Sequence, residues 1–92
     1  MMKVYNWNRE KNTKLLKERK ISFEEIVLNI QLGNEVDIYK YPNKIDYPNQ
    51  KISVVIIERY AYLVPFVESE SEIFLKTIIP SRKATKRYLG EK

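Results

Sequence analysis

Residues 72–89 read EIFLKTIIPSRKATKRYL, and the order of chemistries within them sets the plan of the chain. Ile73 to Ile79 is rich in β-branched and aromatic residues, which predicts a strand. Pro80 ends it, because proline brings no N–H to a ladder. Ser81 is a favourable helix cap, and the following eight residues carry Arg82, Lys83, Lys86 and Arg87. At about 100° per residue these four cations fall within roughly 140° of one another, with Ala84 and Tyr88 on the opposite side. The pattern predicts a short helix with a back that packs on a sheet and a polar face of one sign. Four like charges repel one another, and phosphates relieve that repulsion while releasing counterions. A nucleic-acid face and a solvated or acid-docking face both fit.

Upstream of this junction the chain supplies a scaffold. Ser69 to Ser71 is a polar turn, preceded by Tyr60 to Glu68 (YAYLVPFVE) and Lys51 to Arg59 (KISVVIIER). The second of these is apolar on both faces, as an interior strand requires. The two follow each other so closely that they predict a tight hairpin, although no Asn-Gly or Asp-Gly marks the corner. Pro65 predicts an edge or a bulge nearby. Two copies of Tyr-Pro-Asn, at 41–43 and 47–49, are turn chemistry, and Glu35 to Tyr41 before them reads as a strand. Asp37, Tyr39 and Tyr41 line one of its faces, Val36 and Ile38 the other.

Two helices precede the strands. Ser22 and Glu25 form a capping box, and Phe23, Ile26, Val27 and Ile30 repeat at the i, i+3, i+4, i+7 spacing of a buried face. Gly33 ends that helix. Arg9 to Arg19, capped by Asn8, contains strong helix formers but only Leu15 and Leu16 as apolar residues, so it lies at the surface. Met1 to Trp7 predicts a short edge strand. The expectation is an α+β fold in two layers, with two N-terminal helices on an antiparallel sheet and a short basic C-terminal helix. The expected core is Phe23, Ile26, Val27, Ile30, Val54, Ile56, Val64, Phe66, Leu75 and Ile79.

With 92 residues, the chain makes one domain spanning 1–92. It has no cysteine or histidine, which removes disulfides, zinc clusters and every Cys- or His-based mechanism; no cofactor is expected. Neither a signal peptide nor a membrane span is legible, so a soluble cytoplasmic protein without a membrane partner is expected. The net charge of +5 is uneven. Residues 1–20 carry seven cations and two anions, residues 21–80 five and nine, and residues 81–92 five and one. Basic ends that meet in the fold would make one positive surface for nucleic acid; solubilising ends are the alternative.

Cleavage of RNA without histidine needs another proton acceptor and cations for the charge that builds on the phosphoryl oxygens. Arg82 fits the second task, with Lys76 near it in sequence at the junction; Tyr62 and Glu68 are looser candidates. For Lys76, Tyr62 and Glu68 an exposed strand lysine, a cross-strand aromatic and a turn carboxylate are the alternatives. Lys83, Lys86 and Arg87 are candidates for holding nucleic acid. Tyr39, Tyr41, Tyr47 and Tyr60 are candidates for base stacking, though β-propensity also accounts for them.

Three segments in order resemble the BrnT family of bacterial type II toxin–antitoxin ribonucleases. Tyr5 to Asn12 (YNWNREKN) is similar to the family's aromatic-x-Trp-Asp-x-x-Lys opening, Ile21 to Glu25 (ISFEE) to its Val-Ser-Phe-Glu-Glu segment, and Ile78 to Thr85 (IIPSRKAT) to its closing motif. The resemblance implies a RelE-like fold, RNA cleavage that arrests translation, and neutralisation by a cognate antitoxin in a hetero-oligomer. Arg82 and Lys83 match the closing motif. Arg19 stands where the family has histidine and joins the expected nucleic-acid contacts. Lys20 replaces the family's glycine, which implies loss of the usual helix cap. Leu75 and Thr77 replace strand arginines, leaving Lys76 as the nearest cation.

Overall fold

Val54 and Val55 are adjacent on one strand and both fully buried, so each face of the sheet is covered. In the computed structural model, which describes residues 3–42, 45 and 49–90, the chain runs β1 (Val4–Trp7), α1 (Arg9–Arg19), α2 (Phe23–Gln31), β2 (Glu35–Lys40), β3 (Gln50–Ile57), β4 (Tyr60–Glu68), β5 (Glu72–Leu75), β6 (Ile79–Pro80) and α3 (Arg82–Leu89). The sheet order is β1-β5-β4-β3-β2, with β6 also paired to β4. Val55, Val64, Phe66 and Leu75 meet Leu15, Phe23 and Ile26, which packs α1 and α2 on one face as the two layers of an α+β fold. Val54 and Ala61 meet Ala84 on the opposite face, where α3 lies. Among the described residues no helix is long and apolar enough to cross a membrane.

The sheet is mixed, where a purely antiparallel one was expected. β1 runs parallel to β5, with Val4 opposite Glu72 and Trp7 opposite Leu75. Nothing local in Val4–Trp7 specifies direction; the route through two helices returns the chain to the far side of the sheet, and the parallel pair follows from that crossover.

The last strand is also interrupted. Phe66 pairs with Leu75 and Leu63 with Ile79, so β4 advances three residues while its neighbour advances four. That extra residue is a bulge, and it shifts the inward parity from Ile79 to Ile78. Ile78 is fully buried while Ile79 is 40% exposed, which corrects the expected core. Pro65 explains the position of the break. Its carbonyl accepts from the Lys76 N–H at 2.8 Å, so its missing donor faces the bulging segment and no ladder bond is lost.

The helix ends follow their local signals. The Asn8 side chain accepts from the Lys11 N–H, the Ser22–Glu25 capping box is complete, and Gly33 has φ +90° after α2. At the end of α1, Lys20 adopts the left-handed conformation itself, φ 59°, and its N–H donates to the Leu16 carbonyl. The cap is therefore kept without glycine, at a cost of about 1–2 kcal/mol from the clash of Cβ with the carbonyl. Lys20→Gly is expected to raise the unfolding free energy by about 0.5–1 kcal/mol, part of the relief being offset by unfolded-chain entropy. A urea midpoint that does not rise would mean the lysine stem contributes packing of equal size.

Glu58 and Arg59, at φ 51° and 66°, turn the β3–β4 hairpin. Two consecutive positive φ values are what a two-residue corner between twisted strands requires, so geometry prevails over side-chain preference. The second Tyr-Pro-Asn, with Tyr47, lies largely outside the described residues. β2 carries a bulge of its own: Glu35 opposes Val55 and Asp37 opposes Val54. Glu35 thereby turns to the α2 side, where it accepts from the Ser53 hydroxyl, while Asp37 and Tyr39 face α3.

Candidate nucleic-acid interface

Ala61 on β4 anchors α3. The Ser81 N–H donates to the Ala61 carbonyl at 3.0 Å, and the buried Thr85 hydroxyl accepts from the Ala61 N–H at 2.9 Å. The same hydroxyl donates to the Ser81 carbonyl at 2.8 Å, and the Ser81 side chain caps the Ala84 N–H. Both backbone groups of Ala61 are thus satisfied by the first turn of the helix. With Ala84 and Thr85 buried and Tyr88 half-buried, α3 has the back that the wheel predicts.

Arg82, Lys83, Lys86 and Arg87 are all exposed. Among the described residues none of them forms an ion pair. Arg82 and Lys83 occupy the first turn, which contains no acidic residue, at the end where the helix dipole is already positive. Arg87 lies beside the Tyr88 ring, 5.7 Å from its centroid.

Lys83 and Arg87 overlook a groove of about 480 Å³ between β2 and α3. Val54, Leu63 and Ala84 line it together with Ser81, and Asp37, Tyr39 and Tyr88 form a further wall. The Tyr88 hydroxyl donates to Asp37 Oδ2 at 2.5 Å. That bond holds the phenol pKa above its ordinary value, with burial adding to it, so Tyr88 stays protonated and a donor. The alternation Asp37, Tyr39 was visible in the sequence, but its partner Tyr88 is 51 residues away and no local pattern connects them.

The other candidates do not gather around Arg82. Lys76 is exposed just beyond β5, its ammonium 5.8 Å from the Phe74 ring, and shares a groove of about 620 Å³ with Asn8, Glu10, Lys11 and Lys14. Arg19 donates to the Ile78 carbonyl at 2.6 Å and ties the end of α1 to the bulge. Arg19 thus reaches the segment leading into β6, yet α1 and α3 lie on opposite faces. The condition for one joint positive surface, that the two ends share a face, is not met by the two helices. Tyr62 packs against the α1–α2 core, 5.7 Å from Tyr60, and burial raises its pKa with help from Tyr60, Glu25 and Glu58.

Glu68 is committed to Lys3 at 2.6 Å and Lys51 at 3.0 Å, and these bonds, Lys3 first, lower its pKa. A carboxylate depressed in the folded state contributes stability that is present above its unfolded pKa and is lost as pH falls through the folded one. Unfolding free energy is expected to decline on acidification below about pH 5, and Glu68→Gln to flatten part of that limb. Urea titrations at a series of pH values, followed by Trp7 fluorescence, measure it. Glu24, held low first by Asn12, shares the window.

No family model matches the chain, and no curated protein or solved structure shows significant similarity to it.

Proposed function

We propose that the chain is an RNA-binding endoribonuclease of the toxin–antitoxin kind, acting in the cytoplasm and silenced by a cognate antitoxin. The observation that carries RNA binding is the placement of Arg82 and Lys83. Two cations in the first turn of a helix oppose its dipole, each at a cost of about 0.3–1 kcal/mol, and neither has an ion-pair partner among the described residues. A phosphate at that turn removes the cost, and a local conflict of this sort is characteristic of a functional surface. Cleavage rests on the BrnT-like order of YNWNREKN, ISFEE and IIPSRKAT, in which Arg82 stabilises the charge on the transferring phosphoryl group. The RelE-like topology belongs to the same proposal.

Expression in bacteria is expected to arrest growth, and the purified protein to cleave RNA. Arg82→Ala is expected to abolish both by removing a charge stabiliser, typically worth about 10²–10³-fold in rate. Because Arg82 is exposed, the variant should keep its circular dichroism and urea midpoint. Unchanged toxicity removes Arg82 from the mechanism.

One observation favours a second reading, a non-catalytic RNA-binding module. Lys76 lines a different groove, while Tyr62 and Glu68 are held in packing and ion pairs, so no sequence-predicted proton carrier stands with Arg82. Salt-dependent binding without cleavage of any RNA is its signature. An adjacent short reading frame encoding a small DNA-binding protein would favour the toxin.

A further inference from the structure

The groove between β2 and α3 mixes chemistries that a plain phosphate site would avoid. Lys83 and Arg87 attract anions, yet the Asp37 carboxylate in the same wall repels them. Asp37 is also held in place. Its Oδ1 accepts from the Ile38 N–H at 2.8 Å and its Oδ2 from Tyr88, so the carboxylate is fixed at both oxygens. Each oxygen retains a lone pair, and an ionised carboxylate is an acceptor only. The ligand this wall suits therefore presents a hydroxyl donor close to a phosphate. Tyr39, 38% exposed at the same wall, adds a ring face for a planar group. A volume near 480 Å³ is within the range of small-ligand sites.

Phosphate, hydroxyl donor and planar ring occur together in a ribonucleotide, and the 2′-hydroxyl is the donor that DNA lacks. We propose that this groove is a ribonucleotide site in which Asp37 accepts a hydrogen bond from a ribose 2′-hydroxyl while Lys83 and Arg87 hold the neighbouring phosphate. Tyr39 stacks on the base, and Tyr88 is a positioning residue that orients the carboxylate. The inference rests on the RNA-binding reading of α3 and adds to it the means of choosing RNA over DNA.

The test compares fluorescently labelled oligomers of ten uridines and ten deoxyuridines, which differ only in the 2′-hydroxyl. Anisotropy titrations in the cold, with oligomer length checked on a gel, give both affinities whether or not the protein cleaves. Wild type is expected to prefer the ribo-oligomer by about tenfold, the scale of one hydrogen bond to a charged group. Asp37→Ala is expected to bring the ratio to about one, weakening RNA and tightening DNA as the negative charge leaves the groove. Tyr88→Phe keeps the carboxylate but unfastens it, so the ratio falls part of the way. Tyr39→Ala weakens both oligomers alike by losing a stacking platform. Equal binding of the two oligomers by wild type overturns the proposal and leaves the cationic face intact, as does an Asp37→Ala variant that keeps the preference. Binding of neither oligomer overturns the RNA reading of α3 as well.

Discussion

Phe23→Ala is expected to lower the unfolding free energy by about 3–5 kcal/mol, a large share of the roughly 5–14 kcal/mol that a domain of this length commands. Phe23 is fully buried at the start of α2, and its ring stacks on Trp7 at 5.6 Å and 23°. Its backbone N–H donates to the Asn12 side chain at 2.7 Å, so the same residue fixes α1, α2 and β1 to one another. Truncation leaves a void among Leu15, Ile26 and Leu75 that a sheet on one side and two capped helices on the other cannot close. Trp7 is the single tryptophan of the chain and reports the change directly. The expected outcome is a urea midpoint shifted sharply down at unchanged slope, with Trp7 emission altered already in the folded state. Phe23→Leu, which retains most of the volume, should cost far less. A loss below about 1 kcal/mol in the alanine variant would show that the layer relaxes into the gap.

What made Phe23 legible is local. Ser22, Glu25 and the spacing of Ile26 and Ile30 state a helix, its start and its buried face within nine residues, and α3 is equally local in its cap and its wheel. The elements that escaped depend on distant partners. Strict alternation with period two turns Ile79 inward, and only the pairing with β4 reveals the extra residue that turns Ile78 in instead. The direction of β1 is set by where the chain returns after two helices. The site divides in the same way. Four exposed cations on α3 can be counted from the sequence, but Asp37 meets Tyr88 across 51 residues, and Lys76 stands beside Lys11 and Lys14 because β5 passes the start of α1. Sequence neighbours share chemistry only when they share a face, and the bulge between Lys76 and Ile79 breaks that link to Arg82.

Replacing Arg82, Lys83, Lys86 and Arg87 together by glutamine is expected to weaken RNA binding about 10²–10³-fold near 0.1 M salt. The estimate follows from counterion release: each phosphate contact on a single strand contributes about 0.7 to the slope of log affinity against log salt, so four contacts remove about 2.8. The slope is the more diagnostic number, because a face that merely solvates the chain contributes nothing to it. Stability moves differently. Arg82 with Lys86 and Lys83 with Arg87 are like-charge pairs at i,i+4, each costing about 0.2–0.5 kcal/mol, and the first-turn cations oppose the dipole. Lys86 and Arg87, in the last turn, favour it. Glutamine preserves helix propensity, so these terms nearly cancel and the urea midpoint should hold or rise slightly. Loss of binding with no loss of stability separates a surface kept for a polyanion from one kept for the fold. An unchanged salt slope in the glutamine variant would instead assign RNA contact to the separate groove lined by Lys11, Lys14 and Lys76.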